Sequence, residues 1–171
     1  MKDRSALEMA YDQYGAALLA VCRRYVCSEQ TAEDMLQDGF VTAWCNFEKF
    51  EDRGKGSLRA WLTKIMVNTC LMYLRKNDLL KESSAISAAE YRLEDPGGLA
   101  DMVKRMETGT LFELISDLPP DERTILNLAV FEELSHREIS KLLGISESNS
   151  ATRLHRAKKH LAQKIEKYEK R

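Results

Sequence analysis

The reading of the fold turns on Leu134-Ser135-His136-Arg137-Glu138-Ile139-Ser140-Lys141-Leu142-Leu143-Gly144-Ile145-Ser146. Ser135 followed three residues later by Glu138 is a capping box, which opens a short helix from His136 to Leu143 with Ile139, Leu142 and Leu143 facing inward. Gly144 supplies the left-handed residue that ends this helix, Ile145 plugs the turn, and Ser146 caps a long second helix. Two helices joined by a three-residue, glycine-containing turn cross steeply. The first turns of the second helix then project outward, where they can enter a DNA major groove. Residues 134 to 168 thus read as a helix-turn-helix.

On the second helix, Ser150, Leu154, Ala157, Leu161 and Ile165 form the inner face by helical spacing, leaving Asn149, Thr152, Arg153, Arg156, Lys159 and His160 to point out. Arginine can read guanine with two hydrogen bonds, asparagine can read adenine, and lysine and threonine serve phosphates. From Arg153 to Arg171 eight Lys or Arg stand against Glu166 and Glu169. A basic solvated face accounts for that stretch taken alone, whereas the helix-turn-helix spacing favours DNA.

Upstream, Asp117-Leu118-Pro119-Pro120 breaks the pattern before a helix from about Asp121 to Phe131, with Pro120 in its first turn, where the missing N–H is not needed. Residues 79 to 120 carry 4 basic and 8 acidic groups. Periodicity is weak from 79 to about 107, and Asp95-Pro96-Gly97-Gly98 is a strong local break, so 79–107 reads as an acidic linker with at most transient helix. Ahead of it, Leu7, Tyr11, Tyr14, Leu18, Val21 and Tyr25 make one apolar stripe. Ala32, Leu36, Phe40, Trp44 and Phe47 make another, which leaves Glu33, Asp34, Gln37 and Asp38 on the opposite side. Residues 51–57 form a loop, with Ser57 placed to cap the next helix. That helix, Leu58 to Lys76, is apolar almost all round and so reads as largely buried. Its exception is the line Lys64, Asn68 and Arg75 with Trp61 at the edge. The line is either two cations with their stems laid along apolar surface beside an amide, or a contact line for nucleic acid. Trp61 reads as core rather than as a stacking platform.

Composition agrees with a helical chain. Of 171 residues, 44% are hydrophobic and 31% charged, with only 8 Gly and 3 Pro, which excludes collagen-like, disordered and most β-sandwich classes. The fold class is all-α, with two small helical domains, 1–78 and 108–171, joined by a flexible linker, the C-terminal domain being the helix-turn-helix. The start of the chain is too charged for a secretory segment, and the longest apolar run, Ala16 to Cys22, is far short of the roughly 20 residues a membrane span needs. A cytoplasmic protein without membrane insertion is expected. Cys22, Cys27, Cys45 and Cys70 form no C-x-x-C pair and lie far in sequence from His136, His155 and His160, so they read as small core residues and no metal or cofactor is expected. Gly54-Lys55-Gly56-Ser57 is too short for a phosphate loop, and no nucleophile–base pairing has supporting context, so no enzyme is expected.

The chain resembles the bacterial sigma factors of the extracytoplasmic-function group, which keep only the second and fourth conserved regions. Region 2 is matched by Ala32-Glu33-Asp34-Met35-Leu36-Gln37-Asp38-Gly39-Phe40 and Gly56-Ser57-Leu58-Arg59-Ala60-Trp61-Leu62. Region 4 is matched by Leu118-Pro119-x-x-x-Arg123, by the stretch from Leu134 to Ser146, and by Arg153-Leu154-x-Arg156-Ala157-Lys158. The resemblance implies a subunit that joins core RNA polymerase, recognises promoter DNA at two boxes and assists opening, with an anti-sigma factor as a further partner. It implies that Asp34, Gln37 and Asp38 dock on the polymerase. It implies also that Lys55 and Ser57 in the loop, with Lys64, Asn68 and Arg75, read the −10 element as single strand. Asn149, Thr152, Arg153, Arg156 and Lys159 would then read the −35 element as duplex. Ser140 and Ser150 stand where the group often has apolar residues, Ala151 where a basic one is common, and Met72 where an aspartate is frequent. A competing reading is a helix-turn-helix regulator that binds duplex DNA as a dimer, which leaves the first 78 residues without a role.

Overall fold

The computed structural model describes residues 4–81 and 98–171, and every regular element among them is helical. The Asp95-Pro96-Gly97 break and most of the expected linker lie outside the described residues. The chain divides into two compact units, Met1–Asp78 and Leu79–Arg171. Among the described residues no helix is long and apolar enough to cross a membrane.

The first unit is three helices packed on one another: α1 (Ser5–Val26), α2 (Glu29–Asn46) and α3 (Ser57–Lys76). Helix α1 buries Leu7, Ala10, Leu18, Val21, Cys22 and Tyr25 and ends on Cys27, whose φ of 55° is left-handed. The Ser28 hydroxyl then accepts the Thr31 N–H to start α2, and an Arg23–Glu29 ion pair spans the turn. In α2 the buried residues are Ala32, Met35, Leu36, Gly39 and Ala43, while Trp44 is 41% exposed under the Arg4 guanidinium. The core face is therefore rotated from the expected Phe40–Trp44 stripe. A Cβ on Gly39 would stand 2.2 Å from the Met66 sulfur, so close approach of α2 to α3, rather than aromatic burial, sets the helix's rotation.

Helix α3 buries Leu62, Met66, Val67, Cys70, Leu71 and Leu74, each fully buried aliphatic side chain contributing about 1.5–3 kcal/mol. Its other side, including Arg59, Lys64, Asn68 and Met72, is exposed, so the helix is half buried rather than largely buried. One long apolar side chain, Met72, stands in water, which an apolar count cannot distinguish from core. Two cysteines, Cys22 and Cys70, are core residues as expected, with their thiols hydrogen-bonded across α1 and α3. That bond, and then burial, pushes the Cys70 thiol well above its usual range. Cys27 and Cys45 are exposed, which corrects the expectation for those two.

The second unit is built around α6 (Pro120–Leu126), every residue of which from Asp121 onward is buried. Pro120 occupies its first turn, and Arg123 Nη1 donates to the carbonyls of Ser116 and Leu118, closing the end of α5 (Thr108–Ser116). A π-helical turn, Asn127–Phe131, continues the helix, and the Glu132 N–H bonds back to Asn127. Helices α7 (His136–Leu143) and α8 (Glu147–Glu169) follow. Part of the stretch read as linker is structured. Residues Leu99–Arg105 form α4, which packs on α8 with Leu99 buried and Arg105 reaching Glu169 at 3.5 Å. At seven residues this helix is too short to leave a periodic signature.

Candidate nucleic-acid interfaces

In the loop before α3, Asp52 Oδ1 accepts the Gly54 N–H at 2.9 Å and the Ser57 hydroxyl at 3.0 Å, and the Arg53 N–H donates to Ser57 Oγ at 3.2 Å. Those donors, the Gly54 amide first, hold the Asp52 carboxyl below its usual range. Ser57 was expected to cap α3. Instead its side chain is spent inside the loop, and Gly56 in a left-handed conformation stands at the cap position. The loop is thereby fixed against an open cavity of about 510 Å³. Phe50 and Trp61 form its aromatic wall, their ring centroids 5.2 Å apart and tilted, with Phe47 behind them. Lys49, Arg53 and Lys64 stand around it against one acid, Glu51, so its rim is positive.

Of the sequence-predicted −10 residues, Lys64 and Ser57 line this cavity, Lys55 is exposed at the loop tip, and Asn68 and Arg75 follow on the exposed side of α3. Arg53 lies in the loop 51–57 that was expected to contribute, whereas Lys49 and Phe50, on and just after the short 3₁₀ turn Phe47–Lys49, line the cavity from outside the expected set. Trp61 is only half buried and serves as both core and cavity wall. Polar edges and π faces around a positive rim are what an extruded base and its phosphates require.

The helix-turn-helix is built by the local signals expected of it. The Ser135 N–H donates to Glu138 Oε2 at 2.8 Å, while Ser135 Oγ accepts the Glu138 N–H at 3.2 Å. The first bond, with the Ser135 hydroxyl, holds the Glu138 carboxyl below its usual range. Gly144 sits at φ 66°, and Ser146 Oγ accepts the Asn149 N–H at 3.0 Å. The serine departures are satisfied: Ser150 Oγ, fully buried, pairs with His136 Nδ1 at 2.9 Å, and Ser140 Oγ donates to the Arg137 carbonyl.

The outward face of α8 differs from expectation at its two arginines. Arg153 is 8% exposed, its Nε donating to Asn149 Oδ1 at 2.7 Å and its Nη1 to the Leu80 carbonyl at 3.2 Å. The Arg156 side chain is 11% exposed, with Nη2 2.8 Å from Asp121 Oδ2 and Nε 2.9 Å from Glu122 Oε1. Glu122 Oε2 lies 2.7 Å from His160 Nδ1, while the His160 side chain stays 40% exposed. A bidentate guanine contact supplies about 1–3 kcal/mol, whereas stripping the cation from two buried carboxylates costs about 3–5 kcal/mol, so Arg156 stays inside. Both arginines, expected to point outward, are instead engaged within the unit. The pairing was invisible in the sequence because Asp121 and Glu122 read as ordinary acidic residues of a helix's first turn. The outward stripe is Ser148, Thr152, His155 and Lys159. Ser148 and His155 lie outside the expected set; Ser148 and Lys159 are exposed, while Thr152, His155 and Asn149 are half-buried, Asn149 beside Arg153.

On α2, Asp34, Gln37 and Asp38 are all exposed, opposite the Gly39 contact with Met66. They form a polar, exposed face.

Comparison with known proteins assigns both units. Residues 10–79 match the family model for Sigma-70 region 2, and residues 109–161 match Sigma-70, region 4. The RNA polymerase sigma factor YlaC of Bacillus subtilis is 31% identical over 169 residues, covering 98% of this chain and 96% of that one. The ECF RNA polymerase sigma-E factor of Haemophilus influenzae is 27% identical over 96% of this chain and 89% of its own. Among solved structures, the sigma factor RpoE of Bartonella quintana, crystallised with the anti-sigma factor NepR, has a like fold. Its TM-score is 0.57 at 22% identity, covering 93% of this chain and 96% of that one.

Proposed function

Because this chain belongs to the extracytoplasmic-function group of RNA polymerase sigma factors, we propose how its two units divide a sigma factor's work. It binds core RNA polymerase, directs it to promoters and takes part in initiation, with an anti-sigma factor as a further partner. In the proposed division, residues 1–78 dock on the polymerase through Asp34, Gln37 and Asp38. The same unit takes the −10 element as single strand along Lys55, Ser57, Lys64, Asn68 and Arg75. Residues 108–171 read the −35 element as duplex through Asn149, Thr152 and Lys159. The chain itself catalyses nothing: phosphodiester chemistry belongs to the core enzyme.

The observation that carries this reading is the positive-rimmed cavity walled by Phe50 and Trp61 beside the exposed Lys64 and Asn68. A duplex-only regulator has no use for such a cavity, whereas a separated strand offers bases to stack and edges to bond. Asn68 can donate and accept at once, as a Watson–Crick edge requires. Run-off transcription with core polymerase on the promoter of the chain's own gene tests it. Asn68→Ala is expected to leave closed complexes nearly intact while lowering permanganate reactivity in the bubble and relaxing preference at one −10 position. A normal bubble with unchanged −10 preference removes Asn68 from the site.

A further inference from the structure

A recognition helix meets base edges through its first turns. On α8 Ser148 and Lys159 are exposed and Thr152 and His155 half-buried, one stripe at spacings of 4, 3 and 4, with Glu147 exposed beside it in the first turn. At 1.5 Å of rise per residue Ser148 to His155 covers roughly 10 Å, within a major groove about 12 Å wide, and Lys159 lies one turn further toward a phosphate. Thr152 donates its hydroxyl proton to the Ser148 carbonyl at 2.9 Å. Arg153 and Arg156 are held inside by Asn149, Leu80, Asp121 and Glu122. His155 is different: among the described residues no hydrogen bond or ion pair engages its ring.

We propose that His155 sets base preference at one position of the −35 element, its ring N–H donating to the N7 of a purine. This rests on the reading of α8 as the −35 helix. A single imidazole N–H finds N7 on either purine, and guanine adds O6 as a second acceptor beside it, so guanine is preferred. Cytosine offers an amino donor in the groove and thymine a methyl group beside O4, which makes both poorer partners. Lys159 holds the neighbouring phosphate without reading sequence.

The test uses holoenzyme assembled from the full chain and core polymerase, bound to duplexes in which each −35 base is varied and each purine is replaced in turn by its 7-deaza analogue. Wild-type holoenzyme is expected to lose about tenfold in affinity at one purine when N7 is removed. His155→Ala is expected to bind the natural and 7-deaza duplexes within about twofold of each other there, while discrimination elsewhere in the element is retained. His155→Gln, which can pair with adenine through two hydrogen bonds, is expected to move the preference at that position from guanine to adenine. A structural role would not move it. If both variants keep the wild-type base series, His155 is not the reader and the proposal falls. If the wild-type holoenzyme is indifferent to every −35 substitution, the reading of α8 itself falls, and the proposal with it.

Discussion

Arg156 carries two carboxylates on one guanidinium, the oxygens of Asp121 and Glu122 lying 2.8 and 2.9 Å from it. Arg156→Ala is expected to destabilise the second unit by about 3–5 kcal/mol, read as a shift in denaturant midpoint, because two buried acids lose their counter-charge. Arg156→Lys should recover only part of this, since an ammonium cannot reproduce the planar fork. Transcription by the alanine variant should fall equally on all −35 sequences, the mark of a fold defect rather than lost base reading. At Glu138 the expectation concerns pH. Its folded carboxyl titrates below the unfolded value, which is about 4.3, so its contribution to α7 is complete above that value and disappears as pH falls through the lowered one. The stability gap between wild type and Glu138→Ala should therefore be constant near neutrality and shrink in acid. A gap that widens on acidification would contradict the capping geometry. Sequence placed the capping box without help, because all its partners lie within three residues. It misplaced Arg153 and Arg156, since a periodic reading sends every unpaired-looking arginine to water, whereas Arg153 bonds Asn149 one turn back and the distant Leu80 carbonyl, and the carboxylates that hold Arg156 lie on α6.

Among the elements, the α2–α3 crossing depends on Gly39. A methyl group there would meet the Met66 sulfur at 2.2 Å and its terminal carbon at 2.8 Å. Met66 is fully buried and has little room to swing aside, so Gly39→Ala should cost about 1–3 kcal/mol through overpacking. Adding Met66→Val removes the two clashing atoms, and the double variant should be less destabilised than the sum of the singles. Additive losses would show that the crossing is set elsewhere. This contact explains why the face of α2 was misread. Gly39 and Ala43 are small and leave no mark in an apolar stripe, while Phe40 and Trp44 draw the eye to the edge of the interface. Helix α7 and the start of α8 were legible because serine caps and a left-handed glycine encode a turn locally. The wall of the loop cavity was only half legible: Lys64 and Trp61 stand on a readable helix, but Phe50 reaches the cavity through a three-residue turn.

For the whole molecule, 26 basic residues against 27 acidic leave a net charge of −1, so a long-range field gives little pull toward DNA. The free chain is expected to bind promoter duplex no more tightly than the non-specific range of about 10⁻⁴–10⁻⁶ M at physiological salt. Core polymerase should restore a sequence-dependent shift in the same gel assay. Tight, sequence-specific binding by the chain alone would favour an independent duplex-binding regulator. The division into two helical units was legible from charge and periodicity, whereas the short α4 was not. The π turn bears on chain length. Because Glu132 reaches back five residues to Asn127, the segment Asn127–Phe131 holds one residue more than an ordinary helical turn of the same purpose. Deleting that extra residue is expected to close the usual four-residue ladder and to leave α6 and the capping box of α7 each intact, which the denaturant midpoint of the one-residue deletion variant would show. Among homologous lineages, a single-residue insertion or deletion is therefore expected to settle here, and an alignment of this group should place its gap between positions 127 and 131.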